Sequence, residues 1–162
     1  MDAFGQLVAT QTSAVYRLAR TYVGDAGAED LAQEVFVAAW RALPGLREPD
    51  RFGPWLHRIA LNRCRSAVRG SARVREIPMD EMTADRAADP ADGYGPVEAR
   101  AVVGPALRRL GEEHRAVIAL HYAAGLSLHE CAEVLGVPDG TVKSRLNAAL
   151  EALRRDVGRT RP

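Results

Sequence analysis

An all-α fold, two small helical modules joined by a flexible acidic linker, is what the sequence predicts, and three observations carry that expectation. Ala, Arg, Leu and Val are the commonest residues, aromatic residues are only 6% of the chain, and β-branched residues nowhere alternate with polar ones as a strand requires. Apolar residues recur instead at intervals of three and four, in runs closed by glycine and proline. The formal net charge is +1, yet residues 41–75 hold nine arginines against Glu48 and Asp50, whereas residues 76–98 hold seven acids against Arg86 alone. A basic block beside an acidic one suits a nucleic-acid-facing surface and a separate acidic segment, although two solvated surfaces would look the same.

The first helix is carried by Phe4, Leu7, Val8, Val15, Leu18, Ala19 and Tyr22, and Gly24 interrupts it. A second begins near Ala28, where Asp25, Glu29 and Asp30 favour the positive helix end, and stops at Leu43 before Pro44-Gly45. Its expected inward stripe is Leu31, Val35, Ala38 and Ala42, which leaves Asp30, Gln33, Glu34 and Val37 facing outward. After the Pro44–Gly53 loop, Pro54 sits where a first helical turn needs no amide donor. The third helix runs to about Arg69, with Leu56, Ile59, Ala60, Cys64 and Ala67 inward and Arg58, Asn62, Arg65 and Arg69 on one polar stripe. These helices make a first module over residues 1–70.

Residues 71–96 combine three prolines, two glycines and many acids with little apolar periodicity, so they read as a linker. The second module, residues 97–162, is read as helices over 97–110, 112–124, 127–135 and 141–157, with a kink or a break expected at Gly104-Pro105. Ser127 and Glu130 have the spacing of a capping box. A short helix from there, the turn Val137-Pro138-Asp139-Gly140 and a longer helix from Thr141 make a helix-turn-helix. Val142, Leu146, Ala149, Leu150 and Leu153 form the packed stripe of the last helix. Its free face offers Ser144, Asn147, Ala148, Glu151 and Arg155, flanked by Thr141, Lys143, Arg145 and Arg154; the hydroxyl, amide and guanidinium groups among them are able to reach base edges and phosphates in a major groove. A helical hairpin with a solvated basic face is the plainer alternative.

Other chemistry has little support. Cys64 and Cys131 lie far apart inside helical patterns and read as small core residues. His114, His121 and His129 with Cys131 match no ligand spacing, so no metal or other cofactor is expected. Neither a glycine-rich phosphate loop nor a catalytic triad stands out, and a catalytic role is not expected. With no bilayer-length apolar run and no basic region before an apolar core at the N-terminus, a cytoplasmic protein without membrane insertion is expected.

The run Ala28-Glu29-Asp30-Leu31-Ala32-Gln33-Glu34-Val35-Phe36, then Trp40-Arg41-Ala42-Leu43, Phe52 and Trp55–Asn62, resembles region 2 of the extracytoplasmic-function (ECF) group of sigma-70 factors. Leu107–Leu110, Glu112–Arg115, Gly125-Leu126-Ser127, Glu130, Leu135-Gly136 and Gly140–Leu146 resemble region 4 of the same group. The resemblance covers both modules and skips the linker. It implies an alternative sigma factor that directs core RNA polymerase to promoters, assists melting without a catalytic site of its own, and is held by an anti-sigma factor. Core polymerase would be met at its β′ clamp and β flap, and the protein would join the nucleoid when polymerase-bound.

Asp30, Gln33, Glu34 and Val37 would then dock on the β′ clamp. Arg58, Asn62, Arg65 and Arg69 would meet the minus-10 element, with Leu46, Phe52 and Trp55 near a pocket for a flipped base; Phe52 and Trp55 read equally well as core. Thr141, Lys143, Ser144, Arg145 and Asn147, with Arg155 beyond them, would meet the minus-35 element. Ala148 and Leu150 stand where many relatives carry basic residues, which implies fewer phosphate contacts there. The acidic linker would suit a basic channel leading toward the polymerase active site.

Overall fold

The computed structural model describes residues 3–74 and 97–160, and the side chains of 3–70 and 103–159 within them. Every regular element among the described residues is helical, and the chain divides into two compact units, one within residues 1–87 and one within 88–162. The linker expected over 71–96 lies outside the described residues from 75 onward.

In the first unit, α1 (Ala3–Val23), α2 (Asp25–Ala42) and α3 (Phe52–Val74) pack pairwise. Gly24 separates α1 from α2 with φ of +77°, a left-handed conformation that costs other residues energy, and its amide donates to the Arg20 carbonyl at 2.9 Å. Because the chain turns on that single residue, α2 opens at Asp25, three residues before the sequence suggests. Asp25 stands in the first turn, beside the positive helix end and 3.6 Å from Arg20.

The buried stripe of α2 is Ala28, Leu31, Ala32, Val35 and Ala39. Ala38 is only half-buried and Ala42 is exposed, so the stripe expected through them is rotated by one residue. Leu18, Val35 and Leu56 are 0% exposed, and each such side chain contributes roughly 1.5–3 kcal/mol.

The loop before α3 contains two tight turns, Leu43–Gly45 and Pro49–Arg51, each with a proline in its first two positions and tied by backbone hydrogen bonds. Helix α3 passes Arg69 and continues to Val74, since after Gly70 no proline occurs until Pro78.

The second unit holds α4 (Val97–Arg109), α5 (Glu112–Ile118), α6 (Leu128–Leu135) and α7 (Asp139–Thr160), with α7 packed on the other three. Of the kink or break expected at Gly104-Pro105, the break does not occur: α4 is one helix through Pro105. A residue before proline normally resists the helical conformation partly through its Cβ, and Gly104 has none. Helix α5 does not run evenly to Ala124. It widens into a π-helical turn over Ala119–Ala123, closed by Ala124 N–H on the Ala119 carbonyl at 2.9 Å.

Ser127 caps α6 by accepting from the Glu130 amide at 3.1 Å, which realises that half of the expected capping box. Gly136, at φ +67°, ends α6, and the Pro138 carbonyl receives the amides of Thr141 and Val142 as α7 opens two residues earlier than expected.

Candidate nucleic-acid interface

The outer face of α3 is the most basic surface of the first unit, with no carboxylate between Asp50 and Val74. At 100° per residue, Arg58, Asn62, Arg65 and Arg69 fall within one narrow sector, opposite a buried side made of Phe52, Leu56, Ala60, Leu61 and Cys64. Arg58, Asn62 and Arg69 are exposed and Arg65 is half-buried. Arg69 donates to the Ser66 hydroxyl at 3.2 Å, which holds its guanidinium along the helix. A row of guanidinium groups around one amide can grip successive phosphates while the amide addresses a base edge.

At the head of α3 the expected base-capturing residues separate. Leu46 and Trp55 are half-buried and keep surface to offer. Phe52 is 3% exposed and its ring packs in the core, 5.7 Å from that of Trp55, which is the second of the two readings the sequence leaves open. The buried side of α3 also includes His57, whose Nδ1 donates to the Gly53 carbonyl at 2.8 Å inside the first turns.

The outward stripe of α2 is as the sequence suggests, with Asp30, Gln33, Glu34 and Val37 all exposed. Trp40 extends it one turn further and is 56% exposed. A carboxylate pair beside exposed apolar side chains fits a protein surface that is basic and apolar in the same order, rather than nucleic acid. Trp40 was not singled out as a contact. The signal was present, since it follows Val37 by three residues, but the tryptophan reads equally well as core.

In the second unit, Lys143, Ser144 and Asn147 are exposed and Thr141 is half-buried, together over the first turns of α7. The Ser144 hydroxyl donates back to the Gly140 carbonyl at 3.0 Å, leaving its lone pairs to accept. Arg145 is drawn aside: its side chain is 23% exposed and pairs with Glu113 of α5 at 3.3 Å. Arg155 stands ~18 Å along the helix from Lys143, given a 1.5 Å rise per residue. It borders a groove lined by Ala106, Arg109, Leu110 and Asp156, so it is not part of the cluster at the helix start.

Two ties that sequence reasoning missed orient this unit. Arg115, 9% exposed, donates from Nε to the Leu107 carbonyl at 3.2 Å and from Nη2 to those of Arg108 and Leu110 at 2.7 and 3.0 Å. It thereby satisfies the carbonyls where α4 ends. Its sequence signal is an arginine directly before an apolar run, which is ambiguous without the neighbouring helix.

His129 of α6 lies 3.2 Å from Asp139, at the start of α7, and 3.4 Å from Glu133. The hydrogen bond to Asp139 first, then the negative charges of Asp139, Glu133 and Glu130, raise its pKa above the ordinary 6.5. Cys131 is inert by the opposite logic, since burial pushes its thiol up to about 12. Among the described residues, no three His, Cys, Asp or Glu side chains gather as a metal-ligand set, and no helix is long and apolar enough to cross a membrane.

Comparison with known proteins follows the same division of the chain. Residues 7–74 match the family described as Sigma-70 region 2, and residues 106–155 match Sigma-70, region 4. The ECF RNA polymerase sigma factor SigW of Bacillus subtilis is 32% identical over 167 residues, which covers 96% of this chain and 89% of that protein. The probable RNA polymerase sigma factor RfaY of Xanthomonas campestris pv. campestris is 31% identical over 163 residues, covering 96% of this chain but 40% of its longer relative. Among solved structures, that of CnrH in complex with the cytosolic domain of CnrY has a TM-score of 0.73 at 32% identity, over 98% of this chain and 90% of that one.

Proposed function

The chain belongs to the ECF group of the sigma-70 family, and on that premise we propose that its surfaces divide the work of an alternative RNA polymerase sigma factor. The α2 stripe of Asp30, Gln33, Glu34 and Val37, extended by Trp40, docks on the β′ clamp of core polymerase. The α3 stripe of Arg58, Asn62, Arg65 and Arg69 holds the minus-10 element, while Leu46 and Trp55 receive an unstacked base. Thr141, Lys143, Ser144 and Asn147 enter the major groove at the minus-35 element, and the second unit also meets the β flap.

The observation that carries this reading is the pairing, in one small unit, of an exposed acidic and apolar stripe on α2 with an exposed arginine and asparagine stripe on α3. A duplex-binding regulator needs only the second unit. Capturing an unstacked base offsets part of the cost of opening the duplex, so melting proceeds without nucleotide hydrolysis by this protein, which has no catalytic site of its own.

CnrH was solved in complex with the cytosolic domain of CnrY; for this chain the partner we propose is an anti-sigma factor that covers its polymerase-binding surfaces. It acts in the cytoplasm and joins the nucleoid with polymerase. The first module, extended from residue 70 to the end of α3 at Val74, serves clamp docking and minus-10 recognition, the acidic linker follows it up to residue 96, and 97–162 serve minus-35 recognition. The linker runs through a basic polymerase channel.

Run-off transcription with core polymerase on a genomic promoter library tests the whole assignment. Start sites that appear only when the protein is added are expected. DNA binding without any redirection of polymerase would refute it.

A further inference from the structure

A string of aromatic rings crosses the first unit from its outer surface to the head of α3. Trp40, exposed on α2, meets the ring of Phe4 edge-on with 5.0 Å between centroids. Phe4 also stands edge-on to Phe52 at 6.3 Å, and Phe52 lies 5.7 Å from Trp55. Phe4 therefore touches both the residue that extends the polymerase-facing stripe and the buried ring beside which Trp55 sits. Nothing in the assignment of surfaces above uses it.

Resting on that assignment, we propose that Phe4 is a positioning residue for promoter opening: polymerase seated over Trp40 fixes Phe4, and Phe4 fixes Phe52 and Trp55 at the base-capturing end. Edge-to-face ring pairs are directional, so a displaced ring displaces its neighbour. Phe4 lies in the first turn of α1, and terminal turns open at little free-energy cost. In the free protein Trp40 leaves more than half its surface uncovered, so the string's outer end is held from one side only. A partner packed on Trp40 removes that freedom, and the ordering cost is then met before DNA is opened. A chain of contacts transmits nothing unless its ends differ in free energy between two states, which makes opening, rather than binding, the informative measurement.

The experiment uses the full chain with core polymerase and a promoter taken from the run-off screen. Phe4→Leu keeps apolar volume and removes the ring; Phe4→Tyr restores a ring. Core affinity is read by competition, and opening by a fluorescent base analogue at the unpaired position. One template is fully duplex and another is already unpaired across the minus-10 element.

Phe4→Leu is expected to hold core affinity within about twofold and to slow opening of the duplex roughly tenfold, from loss of two ring pairs. Phe4→Tyr should restore the wild-type opening rate, and on the unpaired template, which has no opening step to slow, run-off by Phe4→Leu should equal that of the wild type. Wild-type opening by Phe4→Leu, a parallel fall in core affinity, or a defect that persists on the unpaired template overturns the proposal. So does loss of helix by circular dichroism in both Phe4→Leu and Phe4→Met, which would make Phe4 an ordinary core residue. If the wild-type chain itself opens no promoter, the assignment of surfaces fails first; wild-type opening with an unaffected Phe4→Leu sinks only the role of Phe4.

Discussion

The two units present their working residues in contrasting ways. On α2 and α3 of the first unit, the polar stripes stand directly opposite the core, so most of their members are exposed. On α7 of the second unit, the corresponding residues are partly engaged in holding the fold: Arg145 with Glu113, Ser144 with the Gly140 carbonyl, and Asp139 with His129. The α2 stripe, with all four members exposed, therefore separates recognition from stability, whereas α7 shares side chains between them. Substitutions should thus have separable effects on α2 and mixed effects on α7.

The largest effect should come from a residue that serves structure alone. Arg115→Ala removes three hydrogen bonds to the end of α4 and is expected to cost about 3 kcal/mol, much of what so small a unit has. Both tryptophans, Trp40 and Trp55, lie in the first unit, so their fluorescence transition should stay in place while far-ultraviolet circular dichroism loses an earlier fraction of helix. A coincident shift of both transitions would show that the units are not independent.

Charge reversal on α2 comes next. Glu34→Lys should weaken core binding by about 2 kcal/mol, since like charges facing across an interface are costly, and leave the thermal midpoint unchanged. A fall in stability as large as the fall in affinity would erase the contrast between the units.

Two neighbouring cations on α7 sharpen it further. Lys143→Ala should cost about 1 kcal/mol of affinity for minus-35 duplex and reduce the salt slope by about one, as loss of one phosphate contact predicts. Arg145→Ala should change affinity less and stability by a few tenths of a kcal/mol, because its partner is Glu113. Equal salt slopes for the two variants would mean that Arg145 leaves Glu113 on DNA binding.

The smallest effect is a pH dependence. The pKa of His129 is raised in the folded chain, so its contribution is fully present below the ordinary value of 6.5 and is lost as pH rises through the elevated folded value. The thermal midpoint of the second unit should fall slightly over that window in the wild type and by less in Asp139→Asn, where only Glu133 and Glu130 still favour the charged imidazole.

Much of the architecture was legible because helices announce themselves locally. Gly24, Pro44-Gly45, Gly111 and Gly136 all punctuate where the structure turns, and the α3 stripe follows from spacing alone. What escaped was set by partners distant in sequence or by small steric details. Arg115 finds its carbonyls across a helix junction, and His129 finds Asp139 ten residues on. The stripe of α2 shifted among its alanines, because Ala38 and Ala39 are equally apolar in sequence and only packing tells which one faces the core, and α4 persists through Pro105 behind a glycine. Phe52 sits at the boundary where a sequence cannot tell a ring that faces a base from one that supports its neighbour; burial decides for support.

Each unit holds one cysteine, Cys64 in the first and Cys131 in the second, and both are 0% exposed. A thiol shielded in this way reacts with an alkylating agent only when its own unit opens, and for Cys131 the thiol pKa of about 12 suppresses any background reaction near neutral pH. The chain thus carries two internal clocks distinguishable by peptide mass. A single labelling time course, with and without polymerase or a captured inhibitor, would give the opening frequency of each unit and show which one a partner silences.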